Sequence, residues 1–290
     1  VRMTRTAISP RFAISTLVST IRQSASMSRA ERVRQLLPAA SRFGGIRWLE
    51  ETGSTNTEAV VAARSGAAEG LVVVADHQTA GRGRLDRRWE APPGSALLCS
   101  ILLRPVDLPA SRRHLVTAAV GLAAREACAA VGAPFPDLKW PNDLLAAASG
   151  AKLAGILAEA VGDAVVVGLG CNVSAAPPGA ACLEDLLGAP VAREELLAAL
   201  LAGLDRRLDR WADVAVEYRA TCATQGRRVR IETVSGSSEG EAVAIDDDGA
   251  LVVRFAEGVR AVHVGDVVHV RPGGGATTWA GEGAAPPEAE

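Results

Sequence analysis

The spacing of apolar positions changes several times along the chain, and each change predicts an element. Residues 46–50 predict a short strand. Thr55 with Glu58 three residues on is a capping-box signature, opening a helix through about Arg64. The apolar run 71–75 predicts a buried strand that leads into a loop spanning 78–95. Residues 96–103 read as strand again, and 111–131 as an alanine-rich helix with apolar positions three and four apart. Strands follow near 137–140, 144–147, 152–159 and 164–170, and a long helical stretch over 194–220 closes the main domain. From 227 to 271 the pattern shortens to alternating strands with turns at 235–240, 246–249 and 265–266, which predicts a small antiparallel barrel. No internal repeat is present.

The ends read differently. Residues 1–44 are rich in Arg and Ser with Glu31 as their only acid, a composition that superficially resembles an organellar transit peptide. The chain begins at Val1 with Met3 and Met27 nearby, so a mis-called start with a largely disordered extension is the favoured reading. The tail 273–290 is Gly, Ala, Pro and Glu, and reads as disordered. The expected organisation is an extension over 1–44, a catalytic domain over 45–225, a barrel over 226–272 and a tail.

Composition narrows the partners. No apolar run approaches the ~18 residues of a membrane span. The formal net charge of −2 gives no global basic field for nucleic acid. Cys99, Cys128, Cys171, Cys182 and Cys222 form no C-x-x-C pair and no zinc spacing with the four histidines, so they read as reduced thiols of a cytoplasmic protein. Among 31 Lys+Arg only Lys139 and Lys152 are lysine, and Asn56, Asn142 and Asn172 are the only asparagines. In a chain that uses arginine wherever a positive charge suffices, a compact ammonium stands out as chemistry.

Four segments can carry that chemistry. Gln78-Thr79-Ala80-Gly81-Arg82-Gly83-Arg84, with Arg87, Arg88 and Trp89 beyond it, combines glycines that let backbone N–H groups approach an anion with arginines that bind one. It lacks P-loop spacing, and by itself a flexible loop of solvated arginines fits nearly as well. Lys139-Trp140-Pro141-Asn142-Asp143 puts a proline-fixed bend after a strand, where Asn142 and Asp143 can hold Mg²⁺ and phosphate oxygens; an ordinary Pro-Asn-Asp turn is the plain alternative. Lys152-Leu153-Ala154-Gly155 opens a strand with the other lysine, and Gly155 inside it suggests close approach of a ligand. Val167-Gly168-Leu169-Gly170-Cys171-Asn172 is a strand ending in glycines, alternatively a β-bulge, and is no dinucleotide fingerprint. Gly236-Ser237-Ser238-Glu239-Gly240 matches G-x-S-x-G but precedes a strand, so it reads as a hairpin loop, and Asp246-Asp247-Asp248-Gly249 reads as a turn.

In this order, with Ser54-Thr55-Asn56 upstream, these segments resemble the biotin protein ligase family, strongly over 48–172 and weakly over 227–272. The resemblance implies an α+β fold: a class II synthetase-like mixed sheet with helices, related to lipoate ligases, plus an SH3-like C-terminal β-barrel. It implies an ATP-dependent ligase that makes biotinyl-5′-AMP and biotinylates a lysine of a biotin carboxyl carrier protein or domain of acetyl-CoA or propionyl-CoA carboxylase. Biotin and ATP are then the substrates, with Mg²⁺. Biotin would be held by Ser54, Thr55, Asn56, Gln78, Gly81, Arg82, Arg84, Lys152 and Gly155. ATP would be held by Arg84, Trp89, Lys139, Asn142, Asp143, Lys152 and Asn172, with Asn142 and Asp143 toward the metal and Lys152 and Arg84 catalytic.

The chain departs from the family pattern at Asp86, where a glycine is frequent, and at Thr79. Residues 1–44 are too few and too unpatterned for the winged-helix domain of bifunctional members, so no DNA partner is expected. A lipoate or octanoate ligase or transferase of the same fold is the nearest rival. A catalytically inactive binding module using Arg82, Arg84, Arg87 and Arg88 is the rival of another class, and predicts salt-dependent nucleic-acid binding without ATP turnover.

Overall fold

The computed structural model describes residues 27–233, 236–263 and 266–270. Residues 1–26 of the expected extension, position 265 of the expected last turn and the tail 273–290 lie outside the described residues. Seven strands form the main sheet: β1 (Gly45–Thr52), β2 (Leu71–Gln78), β3 (Ala96–Leu103), β4 (Asp137–Lys139), β5 (Asp143–Leu145), β6 (Lys152–Val161) and β7 (Ala164–Asn172). Their order is β1-β2-β3-β7-β6-β5-β4. β1 and β2 run parallel, and the other neighbouring pairs are antiparallel.

Helices cover both faces of the sheet, which is why β3 is apolar at nearly every position and buried along its whole length. Leu97, Cys99, Ile101 and Leu103 point into the large core beneath α3 (His114–Ala130) and α5 (Arg193–Asp205). On the opposite face Leu102 joins Val73 and Val166 in a smaller cluster with Ala59 and Ala63 of α2 (Thr55–Arg64). The alanine and glycine content of α3 has a steric cause. A Cβ at Gly121 would come within 3.3 Å of Leu138, and one at Gly203 of α5 within 3.4 Å of Ala123, so the helix seats close to both sheet and neighbour. Trimming a fully buried leucine such as Leu97 to alanine removes about 2–5 kcal/mol in such cores.

Several elements differ from the sequence-based expectations. The stretch expected to be disordered contains helix α1 (Arg29–Leu36), closed by a reciprocal Ser28–Glu31 capping box and seated through the fully buried Val33. Arg34 fastens it by donating to the carbonyls of Gly44 and Ile46. Helix α2 starts where predicted, but its N-cap is Ser54, whose side chain makes no cap bond. The amide oxygen of Gln78 instead accepts from Thr55 N at 2.7 Å, while Glu58 accepts from Thr52 Oγ1. The long helix over 194–220 is two helices, α5 and α6 (Trp211–Thr221), separated by a turn containing the left-handed Asp209. At that turn Arg207 is held by Glu126 and Glu217, which raise its pKa against the cost of burial. A short helix, α4 (Leu183–Leu187), was not predicted.

The C-terminal strands β8 (Arg228–Thr233), β9 (Gly236–Ile245), β10 (Leu251–Phe255), β11 (Gly258–Val262) and β12 (Asp266–His269) form an antiparallel sheet ordered β11-β10-β9-β8-β12. The Gly236–Gly240 segment, read from sequence as a loop, is paired strand within β9, opposite Thr233 to Val229. The 246–249 turn forms as expected, with Asp246 Oδ1 accepting from the N–H groups of Asp248 and Ala250. This sheet is fixed to the main domain through Trp140, whose backbone N–H donates to Thr224 Oγ1 and whose indole N–H donates to the Gly249 carbonyl. Thr224 Oγ1 also lies 3.1 Å from His269 Nε2. Among the described residues, no helix is long and apolar enough to cross a membrane.

Burial, with the cations Lys139 and Arg227 nearby, lowers the pKa of His269 to about 4 from the usual 6.5. The folded protein therefore binds fewer protons than the unfolded chain between these values, and this contribution, complete above about pH 6.5, is lost as pH falls toward 4. His269→Gln is expected to flatten the fall in unfolding free energy over that window by up to about 3 kcal/mol. Urea titrations at pH 4.5 and 7.5 measure it, and identical losses in wild type and variant would refute it.

Candidate functional site

The candidate site lies over β6 and β7, and its floor is backbone. Gly155 and Gly170 are register partners across the β6–β7 ladder. A Cβ at Gly170 would collide with the indole of Trp89, and one at Gly155 would come within 3.2 Å of it. Trp89 thus lies against strand positions without side chains. Its Nε1 is buried with no hydrogen-bond partner. Gly168 does the same for Asn56, whose Oδ1 would be struck by any Cβ there. The β-bulge alternative for this segment does not hold: the register of β7 is continuous against both β3 and β6.

A polar wall rises from this floor. Ser100, the one polar residue inside the apolar β3, lies 2.5 Å from Asn56 Oδ1 and 2.8 Å from Thr55 Oγ1. Asn56 Nδ2 donates to Glu159 at 2.8 Å and to the Leu157 carbonyl. Ser54, Thr55 and Asn56 are nearly fully buried, so their polar atoms are held in fixed directions. Opposite them, the Lys152 ammonium lies 2.7 Å from Asp143 Oδ1 as a charge contact, and 5.9 Å from the Trp89 ring centroid. Lys139 approaches the other oxygen of Asp143 at 3.7 Å. Arg84 donates to Asn142 Oδ1 at 3.0 Å, while Asn142 Nδ2 donates to the Ile156 carbonyl.

The cavity enclosed by these residues, about 120 Å³, is lined by Arg82, Arg84, Arg87, Arg88 and Lys152 with Asp143 as its one carboxylate. Such a lining draws in anions. A second cavity of about 390 Å³ runs between the start of α3, Trp140-Pro141-Asn142 and the 246–249 turn, and shares Arg84, Asn142, Ile156 and Leu157 with the first. Together they make an extended cleft in which two elongated substrates can meet.

Most of the residues singled out from sequence converge here: Ser54, Thr55, Asn56, Gln78, Arg82, Arg84, Trp89, Asn142, Asp143, Lys152 and Gly155 all line the smaller cavity. Lys139 joins them through Asp143. Gly81 stands behind, against the Trp89 carbonyl, where a Cβ would collide. Asn172 is not brought to the cavity; it is buried at the end of β7 and its amide donates to the Ala181 carbonyl. Sequence reasoning passed over Ser100 and Glu159. A lone serine in a fully apolar strand was the available signal for the first, and an acid closing the Lys152 strand for the second.

A mixed sheet with a cation-lined cleft over a glycine floor defines a protein that handles carboxylate and phosphate groups. Residues 48–174 match the Biotin/lipoate A/B protein ligase family, and residues 224–270 match the Biotin protein ligase C terminal domain. The chain is 40% identical over 250 residues to the biotin–[acetyl-CoA-carboxylase] ligase of Mycobacterium tuberculosis, covering 82% of this chain and 93% of that protein. It is 35% identical over 242 residues to the enzyme of the same name from Paracoccus denitrificans, covering 76% and 98%. The biotin protein ligase of Aquifex aeolicus in complex with biotin and ATP superposes with a TM-score of 0.68 at 26% identity, covering 79% of this chain and 100% of that one. The chain belongs to the biotin protein ligase family.

Gly170→Ala is expected to push Trp89 off its floor, at a cost of about 1–3 kcal/mol in stability. A red-shifted tryptophan emission with unchanged circular dichroism would report it. Gly44→Ala, which meets open space, is the control. Equal spectra for the two variants would show that the floor does not need its glycine.

Proposed function

We propose that this protein is a biotin protein ligase that activates biotin with ATP to biotinyl-5′-AMP, releasing pyrophosphate, and then transfers biotin to a lysine of a carrier protein. The observation that carries this reading is Lys152, an ammonium set between the Trp89–glycine floor and Asp143 and within reach of the Arg84 side of the cleft. The first step joins two anions: a biotin carboxylate oxygen attacks the α-phosphorus while the bond to the pyrophosphate oxygen breaks. Lys152 and Arg84 supply positive charge where those anions approach and where the transition state gains negative charge. Ser54, Thr55, Asn56 and Gln78 offer fixed donors and acceptors for the neutral ureido ring, and Trp89 a flat face for the adenine. The second step is attack of the carrier lysine's neutral amine on the acyl carbon with AMP leaving. The arginine loop over the cleft keeps water from the mixed anhydride until then.

Asn142 and Asp143 do not fit a metal ion held by themselves alone. Asp143 already faces two ammonium groups, and the Asn142 carbonyl accepts from Arg84. Among the described residues no group of three or more His, Cys, Asp or Glu gathers as a cation site.

The match of 224–270 to the biotin protein ligase C terminal domain favours biotin over lipoate, because the match over 48–174 is to a family that spans both. A carrier of acetyl-CoA or propionyl-CoA carboxylase is the acceptor class we assign. The cytoplasm is the compartment, in keeping with five free, buried cysteines. Pyrophosphate release from Mg-ATP with biotin, lipoate or octanoate tests the reading. Biotin-dependent release should fall by about 10²–10³ in Lys152→Ala, the loss typical of one transition-state stabiliser. Release with lipoate but not biotin would move the chain to the sister activity, and silence with all three would sink the ligase reading.

A further inference from the structure

Glu159, near the far end of β6, has no part in the chemistry above, yet two arms of the site meet on one of its oxygens. Arg82 of the glycine-arginine loop donates to Glu159 Oε2 at 2.6 Å, and Asn56 of α2 donates to the same atom at 2.8 Å. The loop it grips is a tight hairpin. Gly83 N donates to the Arg87 carbonyl at 2.7 Å, Trp89 N to the Gly81 carbonyl, and Arg82 bridges Arg88. Its tip is closed by Arg87 N donating to the Arg84 carbonyl, with Leu85 at φ 53° and Asp86 at φ 59°. Two successive left-handed residues across such a bond make a type I′ turn, a geometry that ordinarily takes Asn-Gly. Here the positions hold a leucine, which pays the Cβ penalty of that region, and an aspartate in place of the turn's usual glycine. Leu85 is 56% exposed, so packing does not offset the strain.

We propose that Glu159 is a positioning residue that latches this strained hairpin over the cleft through Arg82 and aligns Asn56 with it. The latch is suited to opening. Arg82 and Glu159 are 44% and 29% exposed, so water competes for the pair, and the turn strain favours release once the contact breaks. The Arg82–Glu159 pair, together with the Arg84–Asn142 bond, then holds the lid down against the strain of the Leu85-Asp86 turn. This substrate-holding role rests on the ligase reading, whereas the latch itself does not.

The test uses the full chain without ligands, wild type against Glu159→Ala, Glu159→Gln and Glu159→Ala combined with Asp86→Gly. Trypsin cuts after arginine, so nicking at 82–88, identified by fragment mass, reads how often the hairpin opens. Glu159→Ala should nick about fivefold faster, the scale of losing one partly exposed ion pair. Glu159→Gln, which keeps an acceptor but no charge, should fall between. Adding Asp86→Gly should bring nicking back to within about twofold of wild type, because one of the two left-handed positions then carries no Cβ. In pyrophosphate release, Glu159→Ala should raise the biotin KM by about fivefold and change kcat by less than about threefold. Wild-type nicking in Glu159→Ala or in Glu159→Gln would overturn the latch, as would no rescue by Asp86→Gly. A wild-type enzyme silent toward biotin, with the nicking pattern intact, would overturn the ligase reading and leave the latch standing.

Discussion

Gly155 and Gly170 face one another across two antiparallel strands, and the missing side chains let an indole lie against the backbone. The rest of the cleft is measured from that contact. Trp89 fixes the base of the arginine loop through its N–H to Gly81, so the heights of Arg82 and Arg84 above the sheet follow from how closely the ring seats. Lys152 is ordered from the same surface, its ammonium over the ring and its chain opening the strand that contains Gly155. The floor costs the sheet something, since glycine in a strand interior packs nothing and loses more entropy on ordering than other residues. That cost falls on strands whose neighbouring positions, such as Leu153, Ile156, Val167 and Leu169, are deep in the core and hold the ladder together.

Charge is the second constraint. Four arginines and a lysine line one small cavity, and like charges at that spacing repel unless something holds them. The cleft answers with few anions used several times over: Asp143 faces both lysines, and Glu159 takes Arg82 and Asn56 together. Both carboxylates stand at the edge of the cavity or beyond it, leaving its centre positive for incoming carboxylate and phosphate. Asn142 serves as a neutral acceptor for Arg84 without cancelling its charge.

The architecture was largely legible in the sequence because its signals are local. The apolar run of β3, the three- and four-residue spacing of α3 and the alternation after 227 are each set by which face is buried. The cleft was legible through rarity: in an arginine-dominated chain, Lys139, Lys152, Asn56 and Asn142 gather at it, whereas the third asparagine, Asn172, is buried beyond it and bonds the Ala181 carbonyl. What stayed hidden depends on partners remote in sequence. The acceptor at the start of α2 is Gln78, not the adjacent box. Helix α1 is held by Val33 entering the core and by Arg29 meeting Asp76 across the sheet edge, none of which its arginine-rich sequence announces. The Gly236–Gly240 segment looked like a loop because serine and glycine dominate it, yet pairing with β8 overrides that propensity.

The C-terminal sheet bears on the cleft because its attachment point, Trp140, lines it. Val229, Ile231, Leu251 and Val253 sit in the same continuous apolar cluster as Leu138 and Trp140, so the two sheets share a core and are not joined by a loose tether. Trp140 is the joint: its N–H bonds Thr224, its indole bonds the Gly249 carbonyl, and two residues later Asn142 receives Arg84. Gly249 can come that close only because it has no side chain to strike His114 at the start of α3. A shift of the small sheet must therefore move Trp140 or break its two hydrogen bonds, and either carries to the Asn142–Arg84 contact through a short, stiff stretch of backbone. The tryptophan in the Lys139–Asp143 motif acts structurally, as the fastening that lets a second sheet help set the position of a cleft residue.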